Sequence, residues 1–346
     1  MRFNITVQPS GRQFEAAGDE TVLAAGLRQG IGLPYGCKDG ACGSCKCKKI
    51  SGSVTHGEHQ SKALSADEEA NGYVLTCCAT AHSDLVLESR QVVDVGQFPV
   101  KKMPVRVISL EKKSHDVMVV KLQLPANDTF QFHAGQYIDF LLRDGSRRSY
   151  SMANAPHTLA TGVQAVELHI RHMPGGKFTD HVFGAMKEKE IQRVEGPQGS
   201  FFLREDSDKP MVLLASGTGF APIKALIEHM QHKGITRPAT LYWGGRRPAD
   251  LYLNDWVAEQ VAQMPNLRYV PVISDALPED GWQGRTGFVH RAVLQDFPDL
   301  SGHQVYACGA PIVVDSARAD YTAQGHLPEE EFFADSFTSE ADKAQA

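Results

Sequence analysis

The 346-residue sequence contains no apolar run long enough to cross a bilayer, and its N-terminus, Met-Arg-Phe-Asn-Ile-Thr-Val-Gln, lacks a signal-peptide core. Residence in the cytoplasm without membrane insertion is therefore expected. A basic excess is also missing. The net charge of −6 argues against a general nucleic-acid or membrane-surface binder. There are no internal repeats and no long low-complexity stretches. Apolar content of 42% and charged content of 22% are those of soluble globular protein, and the length allows two or three domains. Cysteine is almost absent from most of the chain. Of the seven, only Cys308 lies beyond Cys78. Clustering of the other six in a reducing compartment points to metal binding or catalysis rather than disulfides.

Three patterns follow one another along the chain. Residues 1–92 hold the cysteine cluster among strand-like runs. Phe3, Ile5 and Val7 alternate with polar residues, and a short helix is expected near Thr21 to Arg28, capped by Asp19 or Thr21. A linker at 93–103 contains Gly96, Pro99, Lys101 and Lys102. Residues 104–205 read as short strands between turn residues, which suggests a small antiparallel barrel. In residues 206–338 strands alternate with helices. Met211 to Ala215 is fully apolar, as in a buried parallel strand, so a doubly wound α/β domain is expected. The remainder, 339–346, is polar and expected to be loose.

Cys37-x4-Cys42-x2-Cys45, followed by distant Cys77, has the plant-type [2Fe–2S] spacing. Four thiolates must converge on two irons, so the loop needs small residues, and it has Gly36, Gly40, Ala41, Gly43 and Ser44. Structural zinc is the competing reading, but zinc sites pair two short knuckles, and a four-residue gap in a glycine-rich loop does not fit. Cys47 and Cys78 lie off the pattern, with Cys78 the rival to Cys77. Lys38, Lys46, Lys48 and Lys49 surround the loop, either as a docking face for an acidic partner or as an ordinary solvated edge.

Two further groups of motifs suit nucleotides. Arg148-Ser-Tyr150-Ser151 offers an aromatic ring for isoalloxazine, a hydroxyl for flavin N5 and a guanidinium for pyrophosphate. Gly175-Gly176-Lys177-Phe178-Thr179 leads into a helix-like stretch from Asp180, with Thr179 as N-cap or phosphate contact. Backbone near Ile170 is expected to approach the flavin, and Gly196 to Gly199 reads as a tight turn. None of the 14 histidines is assigned a catalytic role.

Gly217-Thr218-Gly219-Phe-Ala-Pro222 follows the buried strand and opens a helix, as a pyrophosphate site requires. Pro222 replaces the third glycine of the dinucleotide fingerprint. Trp243-Gly-Gly-Arg246 ends the next strand, where ribose or adenine would rest, and Tyr306-Ala-Cys308-Gly309 ends a later one beside the expected nicotinamide. Arg246 and Arg247 suit the 2′-phosphate of NADPH, whereas nearby Asp250 favours NADH.

In this order the motifs resemble the ferredoxin–NADP reductase superfamily, in the branch with an N-terminal plant-type ferredoxin domain. The resemblance covers almost the whole chain. It implies a multidomain protein with a β-grasp ferredoxin domain, an antiparallel β-barrel FAD domain and a doubly wound α/β NAD domain. It also implies Tyr150 stacked on FAD, Ser151 near N5, Cys308 near the nicotinamide and Phe337 as a terminal aromatic shield. Asp335 stands where plant-type relatives carry a glutamate. The chain continues past Phe337, unlike relatives that end on their aromatic. Segments such as Cys37-Lys-Asp-Gly-Ala-Cys42, Leu75-Thr-Cys-Cys78 and Thr286-Gly-Phe-Val-His290 are most similar to reductases that serve pyridoxamine-phosphate-dependent dehydratases of deoxysugar synthesis. Oxygenase reductases share the scaffold. The implied function is an oxidoreductase moving electrons from NADH through FAD and [2Fe–2S] to a protein acceptor, a dehydratase or an oxygenase. A redox-sensing carrier without turnover is the reading from another class, and the intact nicotinamide motifs favour turnover.

Overall fold

The computed structural model describes residues 1–94, 98–126 and 129–338. Gly96 of the expected linker and the expected loose tail at 339–346 lie outside them. The chain divides into two compact units, one of residues 1–99, 199–201 and 334 onward, the other of residues 100–198 and 202–333.

In the first unit the period-two pattern at the N-terminus forms β1 (Arg2–Gln8), with Ile5 and Val7 fully buried. It pairs with β2 (Arg12–Ala17) on one side. Then come α1 (Val22–Arg28), β3 (Ile31–Gly32), β4 (Lys46–Ser51), β5 (Val54–His56), α2 (Ala66–Ala70), β6 (Tyr73–Leu75), β7 (Ala79–Ala81), β8 (Leu85–Glu88) and β9 (Val93–Asp94). The main sheet has the order β2-β1-β8-β4-β6, with β1 and β8 parallel. Thr21 is the N-cap of α1, its hydroxyl accepting the Ala24 N–H at 3.3 Å. Val22, Leu23 and Ala25 of α1 join Ile5, Val7 and Phe14 in one core.

The second unit holds one whole sheet and, apart from residues 334–336, a second. β10 (Lys101–Lys112), β11 (Val117–Gln123), β12 (Tyr137–Leu141), β13 (Arg147–Ser151), β14 (Ala165–Arg171), α3 (Lys177–Gly184) and β15 (Ile191–Gln198) come first. Their sheet has the order β13-β12-β15-β10-β11-β14, every pair antiparallel. A bridge between Met152 and Leu168 links the two outer strands. Lys101–Met103, expected in the linker, already belong to β10 because they pair with Val194–Gly196. The expected turn at Gly196 to Gly199 is also corrected. Gly196, Pro197 and Gln198 lie within β15, an interior strand flanked by β10 and β12. A side chain on Gly196 would meet Ile138 Cγ2 at 2.7 Å, so glycine there answers a packing demand.

The second sheet comprises β16 (Met211–Ser216), β17 (Ala239–Gly245), β18 (Leu267–Ile273), β19 (Arg285–Thr286), β20 (Gln304–Gly309) and β21 (Phe332–Ser336), in the order β19-β18-β17-β16-β20-β21. β16 to β20 run parallel. The chain steps outward from β16 to β19 and then returns to β20 on the other side of β16. The carboxyl ends of β16 and β20 therefore flank a topological switch point, where such sheets bind ligands. Helices α4 (Phe220–Lys233), α5 (Asn254–Gln263), α6 (Val289–Asp296) and α7 (Pro311–Ala323) fill the connections.

Candidate functional site

The loop between β3 and β4 carries Cys37, Cys42 and Cys45, and the turn between β6 and β7 carries Cys77. Gly40 and Gly43 have φ of +74° and +73°, and a Cβ on Gly40 would meet His59 Cβ at 2.8 Å. Small left-handed residues are thus required for the loop to wrap. The Cys37 N–H points at Cys42 Sγ (3.4 Å) and the Cys42 N–H at Cys37 Sγ (3.3 Å).

The sulfurs form two close pairs. A hydrogen bond from Cys37 draws the Cys42 thiol down to about 7, while Cys37 itself is pushed up by Cys42 and by burial. Cys45 draws Cys77 down to about 4 and is itself pushed up. Among the described residues no three cysteine sulfurs lie within 4.8 Å of one another. A single tetrahedral zinc with Zn–S near 2.3 Å would gather four sulfurs to about 3.8 Å apart. Sulfurs paired as Cys37 with Cys42 and Cys45 with Cys77 fit a two-iron cluster with two thiolates on each iron.

Cys78 lies beside Cys77 and its thiol donates to the Leu75 carbonyl at 3.7 Å. Cys47 is buried in the sheet core, where burial pushes its thiol up to about 12. The surrounding lysines are held locally. Lys46 pairs with Glu68 at 2.6 Å, Lys49 reaches the Gly52 carbonyl at 2.8 Å, and Lys48 bonds the Asn71 carbonyl over the Tyr73 ring. Lys38 lies over the Tyr35 ring.

In the antiparallel sheet, Tyr150 and Ser151 end β13. Tyr150 meets Phe140 edge-on at 5.8 Å and Phe178 at 5.6 Å, and burial keeps its phenol protonated. Ser151 is buried opposite Tyr137, which is also opposite Gln198 of β15. The Oε1 of Gln198 is buried with no hydrogen-bond partner, while its amide donates to Asp139 at 2.9 Å. An orphaned acceptor in the row of Ser151 fits a site shaped for a polar ligand. The Arg148 guanidinium donates to the Arg147 carbonyl at 2.7 Å. Ile170 is fully buried in the sheet core, so its backbone is what a ligand could meet.

Helix α3 starts at Lys177 rather than Asp180, and its N-cap is Gly176, not Thr179. The Thr179 hydroxyl instead closes the turn, donating to the Met173 carbonyl (2.9 Å) and accepting the Met173 N–H (3.1 Å). Gly175 has φ of +82°, and Lys177 pairs with Asp144 at 2.8 Å.

At the switch point, Gly217, Thr218 and Gly219 form one 3-10 turn between β16 and α4. A Cβ on Gly219 would lie 2.2 Å from the Cys308 carbonyl, and one on Gly309 2.3 Å from Ser216 Oγ. The two strand ends are therefore in backbone contact, with Cys308 buried between them. The Ser216 hydroxyl accepts the Ala310 N–H at 2.9 Å. Pro222 is buried in the first turn of α4. Trp243 is fully buried, stacked on Phe220 at 3.9 Å, with its indole N–H on the Gly217 carbonyl at 3.0 Å. It touches the site by holding the glycine turn. Asp250 accepts the Arg246 and Arg247 N–H groups (2.8 and 3.1 Å), and the Arg247 guanidinium is taken by Asp280. The Arg246 side chain is exposed. Asp335 is buried and Phe337 half-buried, both in the first unit.

Sequence reasoning passed over a buried polar group joining the two sheets of the second unit. It comprises Glu167 and His169 on β14, Lys224 and Glu228 on α4, and Tyr252. On a strand whose alternate residues are apolar, Glu167 and His169 read as a solvated face, so no local signal betrays them.

Three family models match in sequence order. They describe a 2Fe-2S iron-sulfur cluster binding domain (residues 5–82), an oxidoreductase FAD-binding domain (104–203) and an oxidoreductase NAD-binding domain (213–319). The chain is 42% identical to the CDP-6-deoxy-L-threo-D-glycero-4-hexulose-3-dehydrase reductase of Yersinia pseudotuberculosis, covering 97% of this chain and 99% of that protein. It is 35% identical to the phenol hydroxylase P5 protein of Acinetobacter pittii, over 99% and 97%. Among solved structures it resembles the Amycolatopsis cytochrome P450 reductase GcoB, with TM-score 0.77 and 32% identity over 97% and 99%. The chain belongs to the ferredoxin–NADP reductase superfamily, in the branch of electron-transfer reductases that join a 2Fe–2S ferredoxin domain to FAD- and NAD-binding domains.

Proposed function

We propose that this reductase takes reducing equivalents from NADH and delivers them singly to a protein acceptor, a pyridoxamine-phosphate-dependent dehydratase of deoxysugar formation, in the manner of CDP-6-deoxy-Δ3,4-glucoseen reductase. The observation that carries the partner is the 42% identity to the dehydrase reductase along nearly the whole of both chains. Bound FAD supplies the exchange between two-electron and one-electron chemistry, and the cluster a one-electron store.

The chain's own residues have these roles in the proposal. Cys37, Cys42, Cys45 and Cys77 hold the cluster. Tyr150 stacks on the isoalloxazine, the Ser151 hydroxyl orients N5 and Arg148 pairs with pyrophosphate. Gly175, Gly176, Lys177 and Thr179 shape the pyrophosphate turn at the start of α3, and the Ile170 backbone borders the ring. Gly217, Thr218, Gly219 and Pro222 receive the pyridine nucleotide, with Arg246 on its ribose side and Trp243 bracing the glycine turn from behind. Cys308 and Gly309 position the nicotinamide, and Asp335 and Phe337 keep the acidic and terminal-aromatic roles that the resemblance implies for them. The proposed architecture is a β-grasp domain, a closed antiparallel FAD barrel that begins with β10 and a doubly wound NAD domain that begins with β16.

NADH is the proposed donor because Asp280 already occupies Arg247, leaving Arg246 alone of the two arginines for a 2′-phosphate. Comparing kcat/KM for the two nucleotides tests this, and a clear NADPH preference contradicts it. A second reading, the reductase of a ring-hydroxylating or diiron oxygenase, draws on the full-length similarity to the phenol hydroxylase component. Reconstitution with a dehydratase and with an oxygenase separates the two. NADH consumption coupled to deoxysugar formation supports the first, and coupling to the oxygenase alone overturns it.

A further inference from the structure

Strand β14 has two unlike faces. Val166, Leu168 and Ile170 are fully buried in the core of the antiparallel sheet. The alternate residues Glu167, His169 and Arg171 all turn to the parallel-sheet half of the unit, as the two-residue period of a strand dictates. Glu167 lies 3.2 Å from Lys224 of α4. His169 Nδ1 meets the Tyr252 hydroxyl at 2.8 Å. The Arg171 guanidinium stands 3.7 Å from where a Cβ on Gly217 would sit, and its Nε donates to Asp116 at 2.8 Å. One strand thus meets the helix after the glycine turn, a residue packed behind that turn, and the turn itself.

Both polar connections lead back to Gly217–Gly219. Lys224 lies one turn into α4, which begins directly after Gly219. Its side chain is 7% exposed, and its ammonium is held by Glu167, by Glu228 at 2.5 Å and by the Ala153 carbonyl at 3.2 Å. Glu228 in turn accepts the Ala155 N–H at 2.8 Å. On the second route Tyr252 packs edge-on against Trp243 at 5.3 Å, and Trp243 donates to the Gly217 carbonyl. His169 is wholly buried and kept neutral by desolvation, so Nε2–H donates to Glu167 (3.0 Å) and Nδ1 accepts from Tyr252.

We propose that Glu167 and His169 are positioning residues for hydride transfer, which clamp the glycine turn of the pyridine nucleotide to the strand that borders the flavin. This rests on the reading above that Gly217–Gly219 receive the pyridine nucleotide and the Ile170 backbone of β14 borders the flavin that takes its hydride. A buried ion pair held in such a hydrogen-bonded network has one good geometry, so it fixes a distance where a hydrophobic contact would slide. Shifts of about 1 Å in such a distance cost roughly 10²-fold in rate.

The test uses holoenzyme mixed anaerobically with NADH, comparing wild type with Glu167→Gln, Tyr252→Phe and Ser151→Ala. Four quantities are read: the limiting rate of flavin reduction, the charge-transfer absorbance of the reduced enzyme with NAD⁺, hydrogen exchange of peptides spanning Gly217–Gly219 without nucleotide, and electron delivery from photoreduced enzyme to an artificial acceptor. Glu167→Gln is expected to slow flavin reduction by about tenfold or more, and Tyr252→Phe by a few-fold. Both should weaken the charge-transfer band and speed exchange at the turn. Electron delivery from photoreduced enzyme to an artificial acceptor should not change. Tyr252→Phe, which removes one hydroxyl, carries the test if Glu167→Gln does not fold. If neither clamp variant alters rate, band or exchange while Ser151→Ala slows reduction, the clamp is overturned and the hydride site stands. If Ser151→Ala also has no effect, the hydride site itself is overturned.

Discussion

The cysteines of the cluster loop are set by their backbone before any iron is considered. Cys37 and Cys42 each aim an N–H at the other's sulfur, Gly40 leaves no room for a side chain, and Gly40 and Gly43 both take left-handed backbone. Cys42→Ser should therefore abolish the visible absorption of the cluster while the flavin bands stay. Cys78→Ser should keep both, with two irons per chain by metal analysis. The loop was legible in the sequence because its ligands are local. The partnership of Cys45 with Cys77 was legible only through the plant-type spacing, since the turn between β6 and β7 brings it about. His133 gives a second prediction at this scale. It is stacked on Phe202 at 4.4 Å, and burial, helped by the charge of Arg204, lowers it to about 4. The unfolded imidazole titrates near 6.5, so the unfolded chain binds the extra proton between these values. Stability is then full above pH 6.5 and falls as the pH drops toward 4, by up to about 3 kcal/mol from this group. His133→Phe keeps the stack and should flatten that part of the acid-side decline in Tm.

Elements with strong periodicity were readable. The alternation in β1 and the apolar run of β16 need no tertiary information. β15 was not, because Gly196 and Pro197 look like punctuation. Tertiary packing decides otherwise: Ile138 of β12 covers Gly196, and β10 pairs along the same stretch. Gly196→Ala should cost about 1–3 kcal/mol in urea unfolding through overpacking against Ile138. A turn at this place would tolerate alanine with little loss. The Glu167–Lys224–Tyr252 group was illegible for a different reason. Its members come from β14, α4 and the segment before α5, and each alone looks like an ordinary exposed polar residue.

At the scale of the whole chain, the order of motifs was the strongest signal. A cysteine loop, an Arg-x-Tyr-Ser strand end, a glycine turn after a buried strand and a Cys-Gly strand end occur in one sequence, and the three family models match in the same order. The three domains are of different kinds, one for a 2Fe–2S cluster, one for FAD and one for NAD. The function therefore requires electrons to pass through all three. Anaerobic rapid mixing with NADH, followed by optical and low-temperature electron paramagnetic resonance spectroscopy, tests this requirement directly. The account predicts loss of flavin absorbance followed by the rhombic signal of a reduced [2Fe–2S] centre, with the signal absent in Cys42→Ser. Flavin reduction in the wild type with no reduced-cluster signal would contradict it.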